Sequence, residues 1–231
     1  SFTRAIQKYD LIQEGDKIAV CISGGKDSML MAKLMQELQR HGKFPFELVF
    51  LVMNPGYNED NWKIIQDNAK VLGIPLTVFE TQIFDTVADI DKNPCYLCAR
   101  MRRGYLYSHA KELGCNKIAL GHHQDDILET LLMNLTHQGA FGTMPPRLKM
   151  DKFDMEIIRP MCLVEERELI QVAAWKGYRK QLKNCPYESG SSRSDMKELL
   201  KSLEAINPEA RYSLWGSMTN IQEDYLPRKI R

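Results

Sequence analysis

Ile18-Ala19-Val20-Cys21-Ile22-Ser23-Gly24-Gly25-Lys26-Asp27-Ser28-Met29-Leu30-Met31 passes from an unbroken apolar run, through a polar turn with two glycines, into a helix-like pattern that continues to Met35. A buried strand, a glycine turn and a helix start are the parts needed to hold a polyphosphate. Glycine accepts a positive φ and has no Cβ, so the backbone can turn successive N–H groups toward one point. The first helical turn adds its own unpaired N–H groups and the positive end of the helix dipole. Ser23 and Ser28 offer hydroxyls, Lys26 a cation, and Asp27 a carboxylate able to hold a magnesium ion. A plain strand-to-helix turn capped by Asp27 or Ser28 explains fewer of these six residues. The GxxxxGK[ST] spacing of the Walker-type loop is absent.

Outward from this turn, apolar runs recur at Leu48–Met53, Leu76–Phe79, Lys117–Leu120 and Ile157–Ile158. Helical patterns fill the gaps at Ser28–His41, Asp60–Leu72, Arg100–Leu113 and Asp125–Gln138, with Gly42, Gly73, Pro75 and Gly114 as stops. This alternation predicts an α/β fold with a mainly parallel sheet flanked by helices. Ligands in such sheets bind at the carboxyl ends of strands, so Ser23–Ser28, Met53-Asn54 and Gly121-His122 are expected to converge, with an adenine-sized ring beside Leu51–Met53. Phe2–Gln13 reads as an N-terminal helix, 139–156 as a loop or hairpin, and the chain from Glu165 as helical with a break at Glu188–Ser194. The expected division is an α/β region over 1–160 and a helical region over 161–231; one integrated domain is the alternative.

Hydrophobic residues make up 44% of the 231, and no apolar run approaches the ~20 residues that span a bilayer. Ser1–Ile6 lacks the basic-then-apolar layout of a signal peptide, so a cytoplasmic location and no membrane partner are expected. The net charge of +1 is unremarkable, but its distribution is not. Lys92, Arg100, Arg102, Arg103 and Lys111 form a stretch without a carboxylate, interleaved with Tyr96, Tyr105 and Tyr107. Lys176, Arg179, Lys180 and Lys183 form a second. Cations among aromatics suit phosphate contact and base stacking, which points to RNA.

Six cysteines are too few for a disulfide scaffold in a chain of this length. Cys95-Tyr96-Leu97-Cys98 is a CxxC preceded by Pro94 at a helix start, where the dipole favours thiolates. A redox pair or half of a zinc site would share that spacing. Cys21, Cys115 and Cys162 sit in apolar surroundings and read as small buried hydrophobes. Cys185, in the polar turn Asn184-Cys185-Pro186-Tyr187 beside the second basic stretch, is the expected third ligand. Cys95, Cys98 and Cys185 would then form a three-thiolate metal site with one open position, suited to iron–sulfur or zinc.

Gly121-His122-His123-Gln124-Asp125-Asp126 follows a strand and precedes a helix. Asp125 could simply cap that helix. Two carboxylates and two histidines at a strand's carboxyl end nonetheless favour ligand chemistry, the acids holding magnesium or positioning a nucleophile and His122 meeting phosphate.

Taken together, Ser23–Ser28 (SGGKDS), Cys95–Cys98 with its trailing Arg100-Met101-Arg102-Arg103-Gly104, Ile118–Asp126 and Gly142-Thr143-Met144-Pro145-Pro146 resemble the tRNA 2-thiocytidine synthetase (TtcA) family. These are tRNA thiolases of the HUP α/β superfamily, and SGGKDS resembles their pyrophosphatase loop. The resemblance implies that ATP adenylates the C2 oxygen of a tRNA pyrimidine, releasing pyrophosphate, and that sulfur then displaces AMP. It implies a 4Fe–4S cluster on three cysteines, a sulfur donor that is a cysteine desulfurase or free sulfide, and a subunit that could pair as a homodimer. It further implies that Arg102 is catalytic, at the place where related thiolases carry a lysine, and that Asp125 and Asp126 fall on the catalytic carboxylate motif. The alternatives are a lysidine-synthetase-like tRNA ligase, which shares the adenylation half without a metal, and a 2-thiouridine-forming thiolase.

Overall fold

The computed structural model describes residues 1–88, 94–181 and 192–227, with the backbone alone at Asp85, Val87, Ala88, Pro94, Cys95 and Ser192. In chain order, α1 (Phe2–Lys8), β1 (Lys17–Ile22), α2 (Lys26–His41), β2 (Glu47–Asn54), α3 (Glu59–Leu72), β3 (Leu76–Glu80), α4 (Ile83–Ala88), α5 (Pro94–Glu112) and β4 (Lys117–Ala119) come first. Then follow α6 (Gln124–Met133), extended by a π-helical turn over Asn134–Gln138, β5 (Arg147–Lys149), β6 (Glu156–Ile158), α7 (Glu166–Trp175), α8 (Ser192–Ile206) and α9 (Ala210–Ser217).

The strands form one sheet in the order β3-β2-β1-β4-β6-β5. Every pairing is parallel except β5 with β6. The predicted α/β class is therefore the observed one, and the 139–156 segment resolves into the antiparallel hairpin β5–β6. β1 is central, with Val20 in register with Phe50 on one side and Ala119 on the other. The chain runs outward from β1 to β3 and then returns to β4 on the opposite flank, so a crevice opens beyond the carboxyl ends of β1 and β4.

β1 is buried on both faces, which explains its unbroken apolar run. Ile18, Val20 and Ile22 pack with Met29, Met31 and Met35 of α2 and Ile65 of α3, while Ala19 and Cys21 pack on the other side with Leu51, Ala110, Cys115 and Ile118. Each large aliphatic side chain so enclosed stabilises the fold by roughly 1.5–3 kcal/mol. Helix ends follow local chemistry: the Asn58 side chain accepts from Asn61 N to start α3, and Gly73 ends it at φ 66°. α7 opens with a reciprocal capping box between Glu165 and Glu168.

One expectation is corrected. The N-terminal helix stops at Lys8 rather than Gln13, because Asp10 adopts φ 49° and sends Leu11 and Ile12 into the core as irregular chain. Lys117 opens the apolar β4 run yet is buried, its ammonium 2.7 Å from Asp16 and donating to Leu11 O at 3.0 Å.

The described residues divide into two compact units: 1–124 with 145–181, which holds the sheet, and 125–144 with 192–227. The second has its own apolar centre of Leu128, Leu132, Met196 and Leu200. Among the described residues no helix is long and apolar enough to cross a membrane.

Candidate active site

Residues 23–28 leave the end of β1 and wrap over the start of α2. Ser23 N donates to Ser28 Oγ at 3.1 Å, and Ser28 Oγ donates in turn to Gly25 O at 3.0 Å. The two serines thus close the turn on itself. Among the described residues no side chain caps α2, whose N-cap is Gly25, so its first N–H groups face a ligand site. Gly24 needs to be glycine twice over: its φ is +87°, and a Cβ there would lie 2.7 Å from Ile65. At Gly121 a Cβ would come within 3.0 Å of the Ser28 Cα, so the chain leaving β4 runs hard against the first turn of α2.

A cavity of about 250 Å³ opens over this loop. Ser23, Gly25, Asp27 and Ser28 form its floor, while Met53 at the end of β2 and Gly121 and His122 after β4 contribute walls. The three strand ends expected to converge do so. Two residues of the loop turn elsewhere: Gly24 packs against Ile65 and Gln181, and the Lys26 ammonium lies 2.9 Å from Asp27 and 3.6 Å from Glu166. Behind the wall, buried Arg159 donates from Nε to His122 Nδ1 at 3.4 Å and from Nη1 to Pro145 O at 2.6 Å. An imidazole accepting at Nδ1 carries its proton on Nε2. Arg159 was not picked out from sequence, since an Arg-Pro after a short strand carries no motif.

Arg102 also lines the cavity. It sits on α5 one turn beyond Cys98, a spacing that puts the two on one helix face. The Cys98 side chain is half-buried among Met53, Ile83 and Met101. Cys95 lies in the first turn of the same helix, three residues earlier. Cys185 falls outside the described residues, as do Lys92 and Lys183 of the basic stretches. The other three cysteines are buried in the core. Burial, with a smaller contribution from Cys115, pushes the Cys21 thiol up to about 12, and burial does the same for Cys162. Such thiols stay protonated and are poor ligands. Among the described residues no group of three His, Cys, Asp or Glu side chains is arranged to hold a metal ion.

Asp125 and Asp126 belong to the second unit, in the first turn of α6. There Arg211 donates from Nη2 to Asp125 Oδ1 at 2.8 Å and from Nε to Glu204 Oε1 at 2.9 Å. Asp125 thus fastens α9 and the end of α8 to α6. Asp126 is 3.8 Å from the half-exposed Arg193. Glu129, not anticipated from sequence, follows one turn later and is 5% exposed. Burial, and then neighbouring Asp126, push its carboxyl up to about 7. Its signal was available in the spacing, which sets Glu129 on the same helix face as Asp125 and Asp126.

A doubly flanked parallel sheet with a glycine loop presenting a helix terminus to a cavity defines an ATP-binding protein of the PP-loop class, and a PP-loop domain model matches residues 1–181. The chain is 38% identical to a tRNA-cytidine(32) 2-sulfurtransferase of Geobacter metallireducens over 229 residues, covering 96% of this chain and 89% of that protein. A second, from Geobacter sulfurreducens, is 37% identical with the same coverage. Among solved structures, the U34-tRNA thiolase NcsA from Methanococcus maripaludis with its [4Fe-4S] cluster superposes with a TM-score of 0.74 at 26% identity, covering 94% of this chain and 76% of that one. The chain belongs to the PP-loop family, among the tRNA-cytidine(32) 2-sulfurtransferases.

Proposed function

We propose that this protein is an ATP-dependent tRNA sulfurtransferase that converts a cytidine to 2-thiocytidine. The observation that carries the reading is the cavity itself, where a phosphate-binding loop faces Arg102 on the helix that bears Cys95 and Cys98. The floor of Ser23, Gly25 and Ser28, with the N-terminus of α2, cradles the phosphates, and Met53 borders the adenine. His122 donates from Nε2 to phosphate. Asp27, the carboxylate on the cavity floor, offers hard oxygens to the magnesium ion that accompanies ATP. Lys26, held by Asp27 and Glu166, supplies the positive field close by.

In the reaction the cytidine C2 oxygen attacks the α-phosphorus, the bond to the β-phosphate breaks, and pyrophosphate leaves. The C2–O bond then breaks as sulfur forms its bond to C2, and AMP departs with the oxygen. Arg102 stabilises the charge that builds on the α-phosphate in both steps. Asp125 and Asp126 act as substrate-positioning acids. The thiols fit a cluster: Cys98 lies in apolar surroundings, and Cys95 shares its helix terminus with the dipole that favours thiolate. Cys95 and Cys98, with Cys185 beyond the described residues, would hold a 4Fe–4S cluster, which would supply the chemistry for accepting sulfur from a desulfurase or from free sulfide. The basic stretches on α5 and after α7 attract the tRNA in the cytoplasm.

The test is pyrophosphate release measured with ATP, with and without tRNA. Release dependent on tRNA supports adenylation of the nucleic acid; release with ATP alone, or none at all, contradicts it.

A further inference from the structure

Beside the loop, at the end of β2, a residue outside every recognised motif joins the site. The Asn54 side chain accepts from Gly56 N at 3.1 Å and Tyr57 N at 2.9 Å, an Asx turn that Gly56 completes at φ +105°. This turn presents Tyr57 at the cavity. Its hydroxyl donates to Ser23 O at 3.2 Å and accepts from Arg102 Nη2 at 2.8 Å. The Arg102 guanidinium also lies over the Tyr57 and Phe84 rings, 5.9 and 5.7 Å from their centroids, and those rings meet edge to face. Within this tightly held group Arg102 Nε is buried and has no hydrogen-bond partner among the described residues. Leaving a buried donor unmet is unfavourable unless a ligand meets it.

We propose that Tyr57 is a positioning residue for the reaction: its hydroxyl ties the phosphate-binding loop at Ser23 to Arg102, so the guanidinium is fixed at the cavity with an N–H donor reserved for the nucleotide's phosphate. This rests on the role given to Arg102 above. Rings and hydroxyl divide the work. The rings hold the guanidinium plane by stacking, and the hydroxyl sets its rotation by taking one Nη donor. Because the same hydroxyl bonds the loop backbone at Ser23, one group holds both the loop and the Arg102 guanidinium in place. The effect belongs to the transition state, so it appears in turnover rather than in ATP binding.

The test is steady-state pyrophosphate release with tRNA, comparing Tyr57→Phe, Phe84→Leu, Arg102→Ala and the Y57F/R102A double variant, each with its Tm. Tyr57→Phe should lower kcat about 10- to 100-fold, as loss of one charge-assisted hydrogen bond does, with the KM for ATP held within about twofold. Phe84→Leu keeps the hydroxyl relay and should retain kcat within about fivefold, the worth of one cation–π contact. The double variant should be no slower than Arg102→Ala alone, whatever the Tm of Tyr57→Phe. Wild-type kcat in Tyr57→Phe, a change confined to KM, or additive losses in the double variant would overturn the proposal. If Arg102→Ala itself turns over normally, the fault lies with the catalytic role of Arg102 rather than with Tyr57.

Discussion

Gly24 and Gly25 are adjacent and look equivalent in sequence, yet the structure gives them opposite duties. Alanine at position 24 would adopt φ +87° with its Cβ 2.7 Å from two carbons of the fully buried Ile65. The left-handed backbone costs roughly 1–2 kcal/mol for a non-glycine residue, and forcing a methyl into packed core adds about 1–3 kcal/mol. Together these remove about 2–5 kcal/mol, which for a chain of this size lowers Tm by about 4–20 °C. Alanine at position 25 is different: the backbone there is ordinary, and the new Cβ meets only Ser23 Oγ at 3.6 Å. Gly25→Ala should melt within about 2 °C of the wild type, since the fold loses nothing and the unfolded chain loses freedom. The methyl would nonetheless stand on the cavity floor, and Gly25→Val would fill it further. Thermal melts paired with calorimetric ATP titration separate the cases. Gly24→Ala should lose stability, while Gly25→Val should keep its Tm and bind ATP at least about tenfold more weakly, a loss of ~1.4 kcal/mol. An unchanged melt for Gly24→Ala, or wild-type ATP affinity for Gly25→Val, would refute the division.

The acids of α6 should also separate. Asp125→Ala removes a carboxylate 2.8 Å from buried Arg211 and should cost about 3–5 kcal/mol in urea unfolding, whereas Asp126→Ala should stay folded and lose tRNA-dependent AMP formation. Glu129 should make stability pH-dependent. Its folded pKa lies above the unfolded value, so the folded state holds the proton more tightly. Stability is therefore full below the ordinary glutamate range and falls, by up to about 1.4 kcal/mol per pH unit, as pH rises to about 7. Glu129→Gln should flatten that slope, and an unaltered slope in denaturant titrations would contradict it. Single Cys95→Ala, Cys98→Ala and Cys185→Ala changes should abolish sulfur transfer and bound iron after anaerobic reconstitution. Cys115→Ala and Cys162→Ala should preserve both, as thiols enclosed in the core have no ligand to give.

What could be read from sequence is what depends on neighbours in the chain. The loop of Ser23–Ser28 is legible because strand, glycines and helix start are contiguous, and the α/β class follows from the same alternation. The catalytic role of Arg102 came only through resemblance, and its partner Tyr57 came not at all, because the two meet across 45 positions through an Asx turn at Asn54. The same holds for Arg211, which reaches Asp125 from 86 residues away and turns an acid of the GHHQDD stretch into an anchor of the second unit. Leu11 and Ile12 misled the helix assignment because their periodicity reports burial, which irregular chain after Asp10 satisfies equally well.

The central claim is that this chain thiolates a tRNA cytidine at the expense of ATP. Its most direct test is mass spectrometry of nucleosides from unmodified tRNA incubated with the anaerobically reconstituted protein, ATP, magnesium and sulfide. 2-Thiocytidine is the expected product, absent when ATP is omitted and absent with Cys98→Ala. Unmodified cytidine throughout, or sulfur found on uridine instead, would contradict it.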